Sequence, residues 1–140
     1  MIRQVWDGSR FVRTSLASLG LVVQLGHLPG EQCNNPTKGP DNFMVLDMNG
    51  WHSVSVQYCH CRLSAASGTH LQQLLRYELF PATISEPSTC ATFRLLETFH
   101  ALTLQAKTTV YDFYITLNNL TDNTGVQIKW VSLPVILIII

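Results

Sequence analysis

Apolar residues follow two regimes along this chain, first with a period of two and then with a period of three to four. Between residues 21 and 61 the runs are short and rich in β-branched and aromatic residues: Leu21 to Leu25, Phe43 to Met48, and Trp51 to Tyr58. In the last run Val54, Val56 and Tyr58 alternate with Ser53, Ser55 and Gln57. The valine–tyrosine side is expected to face a core and the serine side to face solvent. Asn49-Gly50 separates the second and third runs. That dipeptide predicts a β hairpin whose two turn residues both take positive φ. The stretch from Pro29-Gly30 to Gly39-Pro40 reads as a turn-rich loop.

Beyond residue 62 the period changes. A polar loop leads to a short helical stretch around HLQQLLRYEL, broken at Phe80-Pro81. From 89 to 121, Leu95, Phe99, Leu102 and Ala106 continue into Val110, Phe113, Leu117 and Leu120. Steps of three and four make this one apolar stripe of helical period, with Ser88 placed to cap its start. No Gly or Pro interrupts the stripe, so it reads as one long helix or as two. The favoured reading is two, with a break near Lys107–Thr109, Thr109 capping the second helix and Asp112 three residues on. Gly125 then supplies a stop.

The expected fold class is α+β: a β part over about 21–62 and a helical part over about 70–122, in a domain of residues 1–125. Residues 1–20 are mixed and read as a lead-in. The stretch WVSLPVILIII has no charge after Lys129 and is interrupted by Pro134. It is shorter than the ~20 apolar residues a bilayer span needs. The segment 126–140 is therefore expected to be an apolar tail foreign to the domain, a buried edge strand being the alternative.

Composition narrows the function classes. The chain has 140 residues, about one domain, and nine basic residues balance nine acidic ones. A self-sufficient nucleic-acid binder shows a basic surplus, which this chain lacks. Arg3, Arg10 and Arg13 form the one basic grouping, diluted by Asp7. The opening residues MIRQVWDGSRF hold charge and no apolar run, unlike a secretory signal. The four cysteines then read as metal ligands or free thiols rather than disulfides.

Cys59-His60-Cys61 is the most informative motif. Cys33 and His27 lie upstream of it, across a turn-forming Leu28-Pro29-Gly30. Structural zinc takes four Cys or His donors in a tetrahedron. Residues i and i+2 of an extended strand share a face, so both sulfurs can aim at one ion while His60 points away. His52 is the substitute ligand should His27 not serve. Cys90 reads as a buried free thiol, His100 as packing or surface, and His60 and His70 as solvent-exposed. Trp6 and Trp51 read as hydrophobic anchors rather than stacking platforms for bases. Asp7, Asp41 and Asp47 are too scattered for a two-metal nuclease centre. There is no nucleophile elbow and no phosphate-binding glycine loop. A Cys59–His27 nucleophile pair is outweighed by the metal reading, so no catalytic role is expected.

Several blocks occur in order: WDGSRFVRTSL, LGLVVQLGH, Cys-Asn-Asn-Pro, FMVLDMNGWHSVSVQYCHC, QLLRYELFPAT, TFRLLETFHALTLQAK, YDFY and LTDNTG. Together they resemble the second type of CxC cysteine-cluster domain, associated with fungal KDZ transposases, from about Trp6 to Gly125. The resemblance implies zinc ligands at His27, Cys33, Cys59 and Cys61. It also implies a nuclear, transposon-related setting and an accessory role, placing a transposase on DNA or on a partner protein. Members of that family carry a further Cys/His cluster before the WDG segment and continue beyond LTDNTG toward an RNase H-like domain. The chain is accordingly expected to be a truncated product, with transposase activity in parts it does not hold. Two other expectations stand beside the accessory role: a protein–protein interaction module without nucleic-acid contact, and a degenerate transposon fragment.

Overall fold

The computed structural model describes residues 3–28, 30–61 and 68–121. Two strands, β1 (Arg3–Trp6) and β2 (Phe11–Thr14), form an antiparallel hairpin of their own. Four strands of a mixed sheet follow: β3 (Val22–Gln24), β4 (Pro36–Lys38), β5 (Phe43–Asp47) and β6 (Gly50–Cys59). Then come α1 (His70–Arg76), β7 (Leu79–Pro81), β8 (Thr89–Thr92), α2 (Phe93–Ala106) and α3 (Val110–Thr121). The fold is α+β, as expected.

The ten-residue β6 is the spine. Its first half pairs antiparallel with β5, from Asp47 opposite Gly50 to Phe43 opposite Val54. Its second half has a partner on each edge. β3 runs parallel, with Gln24 opposite Gln57, and β4 antiparallel, with Lys38 opposite Gln57 and Pro36 opposite Cys59. β8 joins β5 in parallel and β7 closes the sheet, giving the order β3-β6-β5-β8-β7 with β4 against β6.

The strand period of two sorts side chains onto two packed faces. Leu46, Trp51 and Ala91 share one face, under Leu95 and Phe99 of α2 and Phe113, Tyr114 and Leu117 of α3. Phe43, Val54, Val56, Tyr58 and Cys90 share the other, against Leu25, Leu74 of α1 and Leu79. Each large apolar side chain so buried contributes about 1.5–3 kcal/mol relative to leaving it exposed. Ser53, Ser55 and Gln57 are half-buried rather than solvated: Ser53 and Ser55 lie beside Ala17 and the 38–42 segment, and Gln57 is flanked by β3 and β4.

The hairpin between β5 and β6 forms at the expected place with a different turn. Asp47 pairs with Gly50, and Gly50 alone of the turn residues has positive φ, at 116°. This is the pattern of a tight turn over Met48 and Asn49 followed by a glycine bulge, not a turn centred on Asn49-Gly50. Gly50 is also needed for space. A Cβ there would lie 2.4 Å from Thr121 Oγ1 and 3.2 Å from Thr121 Cα. That hydroxyl accepts the Trp51 N–H at 2.8 Å, fastening the end of α3 to the start of β6.

The stripe from 89 to 121 does split into two helices. Lys107 ends α2 in the left-handed conformation (φ 53°, ψ 33°). Thr109 Oγ1 accepts the Asp112 N–H at 3.1 Å and opens α3. The start of the stripe differs from expectation. Residues 89–92 are a strand, and Thr92 rather than Ser88 caps α2, accepting the Leu95 N–H at 3.2 Å. Leu102, Ala106 and Leu120 are exposed, so the buried part of the stripe is Leu95, Phe99, Phe113 and Leu117. Helix α1 starts from a capping box, Thr69 with Gln72. The expected tail, 126–140, and the Gly125 stop lie outside the described residues.

Candidate metal centre

Three strands converge at the end of β6 that lies away from the hairpin turn. β3 leads out through Gly26 to His27. The loop holding Cys33 leads into β4. Cys59 ends β6, with Cys61 two residues on. Backbone bonds lock this junction: Leu25 N–H to Gln57 O (2.8 Å), Gly39 N–H to Val56 O (2.8 Å) and His60 N–H to Asn35 O (3.1 Å). The β5–β6 turn sits at the opposite end of β6 and does not gather the donors. The pairing of β3 and β4 with β6 gathers them instead.

The result brings together all four residues singled out from the sequence. One donor atom from each of His27, Cys33, Cys59 and Cys61 lies within 4.8 Å of the others. His27 Nε2 is 3.1 Å from Cys59 Sγ and 3.7 Å from Cys61 Sγ, and Cys33 Sγ is 3.2 Å from Cys61 Sγ. A tetrahedral ion with bonds of about 2.3 Å to sulfur and 2.0–2.1 Å to nitrogen sets donors roughly 3.5–3.8 Å apart, so the cluster is of the right size. The Cys33–Cys61 separation is far beyond the ~2.05 Å of a disulfide, and all four cysteines are free. His27, Cys33, Cys59 and Cys61 thus form a possible metal-binding site.

The electrostatics of the donors fit a cation between them. Burial, then the hydrogen bond with Cys61, pushes the Cys33 thiol up to about 11. Hydrogen bonds from Cys33, then His27, then Cys59 bring Cys61 down to about 6. A cation bound among the sulfurs would favour their thiolate forms.

The surroundings hold the donors in place. Gln73 of α1 is buried, its Oε1 accepting the Cys59 N–H at 2.8 Å and its Nε2 donating to Cys59 O at 2.9 Å. The Cys61 N–H donates to Cys59 Sγ at 3.4 Å. Glu31 Oε2 accepts the Leu28 N–H at 3.3 Å and stands 3.7 Å from His27 Nδ1, placing a carboxylate behind the imidazole. Gly26 has φ +80°, and a Cβ on it would lie 2.6 Å from Cys59 Cβ. None of these supporting residues was singled out from the sequence. The signal for Gly26 was its place beside His27, whereas a buried glutamine inside a helix gives none.

The remaining candidates are placed elsewhere. His52 opens β6 at the hairpin end and bonds Asn49 Oδ1 at 2.7 Å, so it does not substitute for His27. His60 is exposed and meets His70 edge-on at 5.4 Å, while His70, expected at the surface, stacks on Tyr58 at 3.9 Å and is partly buried. His100 is exposed. Cys90 is fully buried, and burial pushes its thiol up to about 12. Asp7, Asp41 and Asp47 are held in separate local contacts. Asp7 Oδ1 accepts from Ser9 N–H (2.8 Å) and Arg10 N–H (2.9 Å). Asp41 bonds Lys38, and Asp47 bonds Thr92 (2.8 Å) and Arg94 (2.5 Å). Trp51 is the buried anchor expected of it, edge-on to Tyr114 at 6.0 Å. Trp6 is not, being 56% exposed at the tip of the β1–β2 hairpin. Among the described residues, no helix is long and apolar enough to cross a membrane.

Comparison with curated proteins and with solved structures gave no match. The family model described as a CxC2 like cysteine cluster associated with KDZ transposases matches residues 16–125, which hold all four clustered donors. This is a cysteine-cluster family rather than a catalytic one. Matched over most of its length, the chain belongs to the CxC2-like cysteine-cluster family associated with KDZ transposases.

Proposed function

We propose that this is a non-catalytic zinc-binding accessory domain of a KDZ-type transposase, held in shape by zinc at His27, Cys33, Cys59 and Cys61. The observation that carries the reading is the convergence of three sulfurs and one imidazole nitrogen within 4.8 Å. Three thiolates and an imidazole suit zinc, a borderline-soft ion without geometric preference of its own. Four protein donors complete a tetrahedron and leave no open position for substrate or water, which marks a structural rather than a catalytic site.

The domain's role is to help the transposase engage DNA or a partner protein, and its place of work is the nucleus. A module that binds protein alone is the second reading, favoured by a formal charge of zero. Metal analysis of the purified chain tests the zinc assignment. One zinc per chain is expected, falling toward zero in Cys33→Ser and Cys59→Ser. A protein that is folded and metal-free, or whose zinc survives both substitutions, overturns it.

A further inference from the structure

Outside the region matched by the family model, the β1–β2 ribbon combines two features that the proposed zinc role does not use. The first is an exposed aromatic pair. Trp6 and Phe11 are cross-strand partners next to the turn, 56% and 64% exposed, with ring centroids 5.1 Å apart and planes at 63°. Neither belongs to the two packed clusters of the sheet. Large apolar groups left in water on a short ribbon need a reason.

The second feature is charge. Within residues 3–14 there are three arginines and one aspartate, while the whole chain is neutral. The ribbon is therefore a basic spot, and the rest of the chain carries the balancing excess of acid. Arg10 sits in the turn beside Phe11 with its side chain 81% exposed, and its Nε is 3.8 Å from Asp7 Oδ2, a loose pairing at the surface. Asp7 in turn is committed to the turn amides of Ser9 and Arg10.

We propose that this ribbon is a binding surface for single-stranded nucleic acid. Unpaired bases stack on Trp6 and Phe11, and the exposed Arg10 beside them takes a phosphate. Exposed aromatic rings interleaved with cations are what a flexible polyanion of aromatic bases recognises, and the 63° between the rings lets each offer its face to a different base. A duplex gives such rings nothing to stack on, because its bases are already stacked on one another. A second copy of the chain docked ribbon to ribbon would bring like charge against like charge. The proposal deepens the nucleic-acid half of the accessory role and is independent of the zinc assignment.

The test is a fluorescence-anisotropy titration of the full chain against a labelled 15-mer oligo-dT and a duplex of equal length, from 50 to 200 mM NaCl. Zinc content and far-UV circular dichroism are recorded on every variant. Single strands should bind more tightly than the duplex. Trp6→Ala should weaken oligo-dT binding by about 5- to 150-fold, the range for loss of one stacked base, with Trp6→Phe retaining part of it. Arg10→Ala should lower the slope of log K against log salt by about 0.7. Zinc and secondary structure should be unchanged in all three. Oligo-dT binding that ignores Trp6→Ala, equal binding of duplex, or self-association lost with Trp6 would each overturn the proposal. Metal analysis judges the zinc reading separately, so failure of either is read without the other.

Discussion

Gly20 and Gly26 form a natural experiment on what holds the candidate metal centre together. Their φ angles are nearly the same, +82° and +80°, but their surroundings are not. A Cβ at Gly20 meets nothing within 4 Å. A Cβ at Gly26 meets Cys59 Cβ at 2.6 Å, Gln73 Oε1 at 3.2 Å and Cys59 Sγ at 3.6 Å. Alanine at either site incurs the left-handed backbone penalty, about 1–2 kcal/mol. At Gly26 it also forces two carbons well inside the ~3.5–4.0 Å of good contact. The atom it meets is the root of a side chain on a paired strand, not the far end of a flexible one, so backbone must shift. Overpacking of that kind costs about 1–3 kcal/mol. Gly20→Ala should therefore destabilise by about 1–2 kcal/mol and Gly26→Ala by about 2–5 kcal/mol. The assay is urea unfolding of both variants at the same excess of zinc, with zinc affinity measured by chelator competition. Gly26→Ala moves a candidate donor and should also weaken zinc binding, while Gly20→Ala should leave it alone. Equal destabilisation by the two, or intact zinc affinity in Gly26→Ala, would refute the idea that close approach of Gly26 to Cys59 positions the centre.

Three further outcomes follow from the architecture. Chelation, or Cys59→Ser, should speed hydrogen exchange at Leu25, Gly39 and His60, whose amides sit at the cluster end of β6, while Trp51, bonded to Thr121, keeps its protection; uniform loss at both ends would contradict a localised centre. Burial works against the Asp47 charge, but bonds from the Met48 backbone, Thr92 and Arg94 outweigh it and hold its carboxyl below the ordinary carboxylate value. The contribution of Asp47 to stability is present above the unfolded carboxylate pKa and is lost as pH falls through the lower folded value, so Asp47→Asn should flatten the acid limb of a stability–pH curve below about pH 4. Deleting residues 127–140 should leave zinc content and thermal midpoint unchanged and raise solubility, because an uncharged run of β-branched residues invites edge pairing; a lower midpoint on deletion would make the tail part of the core.

The legible parts of the sequence were those where local chemistry and long-range packing agree. The alternation of Val54, Val56 and Tyr58 gave β6, and Lys107–Thr109 gave the break between α2 and α3. The spacing of His27, Cys33, Cys59 and Cys61 gave the cluster, sharpened by the family resemblance. The hidden parts are ones where tertiary pairing decides. Pro36-Thr37-Lys38 has no alternation and is a strand only because β6 offers it an edge. Thr89 to Thr92 adjoins a helical stripe and reads as its beginning, yet lies in the sheet because β5 and β7 flank it. Trp6 was misplaced for a related reason. Aromatic residues predict burial on average, and only the partners present in three dimensions say whether burial is on offer.

The bond between Trp51 and Thr121 spans 70 positions of sequence. All four clustered donors, by contrast, lie at or before residue 61. A chain emerging from the ribosome at about 5–20 residues per second exposes the whole donor set several seconds before Thr121 leaves the exit tunnel. The two ends of β6 thus become completable at different times: the cysteine end early, from contacts already synthesised, and the hairpin end only when the last turn of α3 arrives. For those seconds Leu46 and Trp51 have no helical roof. An early-closing metal end would fix the register of β6 and present those side chains in their final arrangement to the helices still to come.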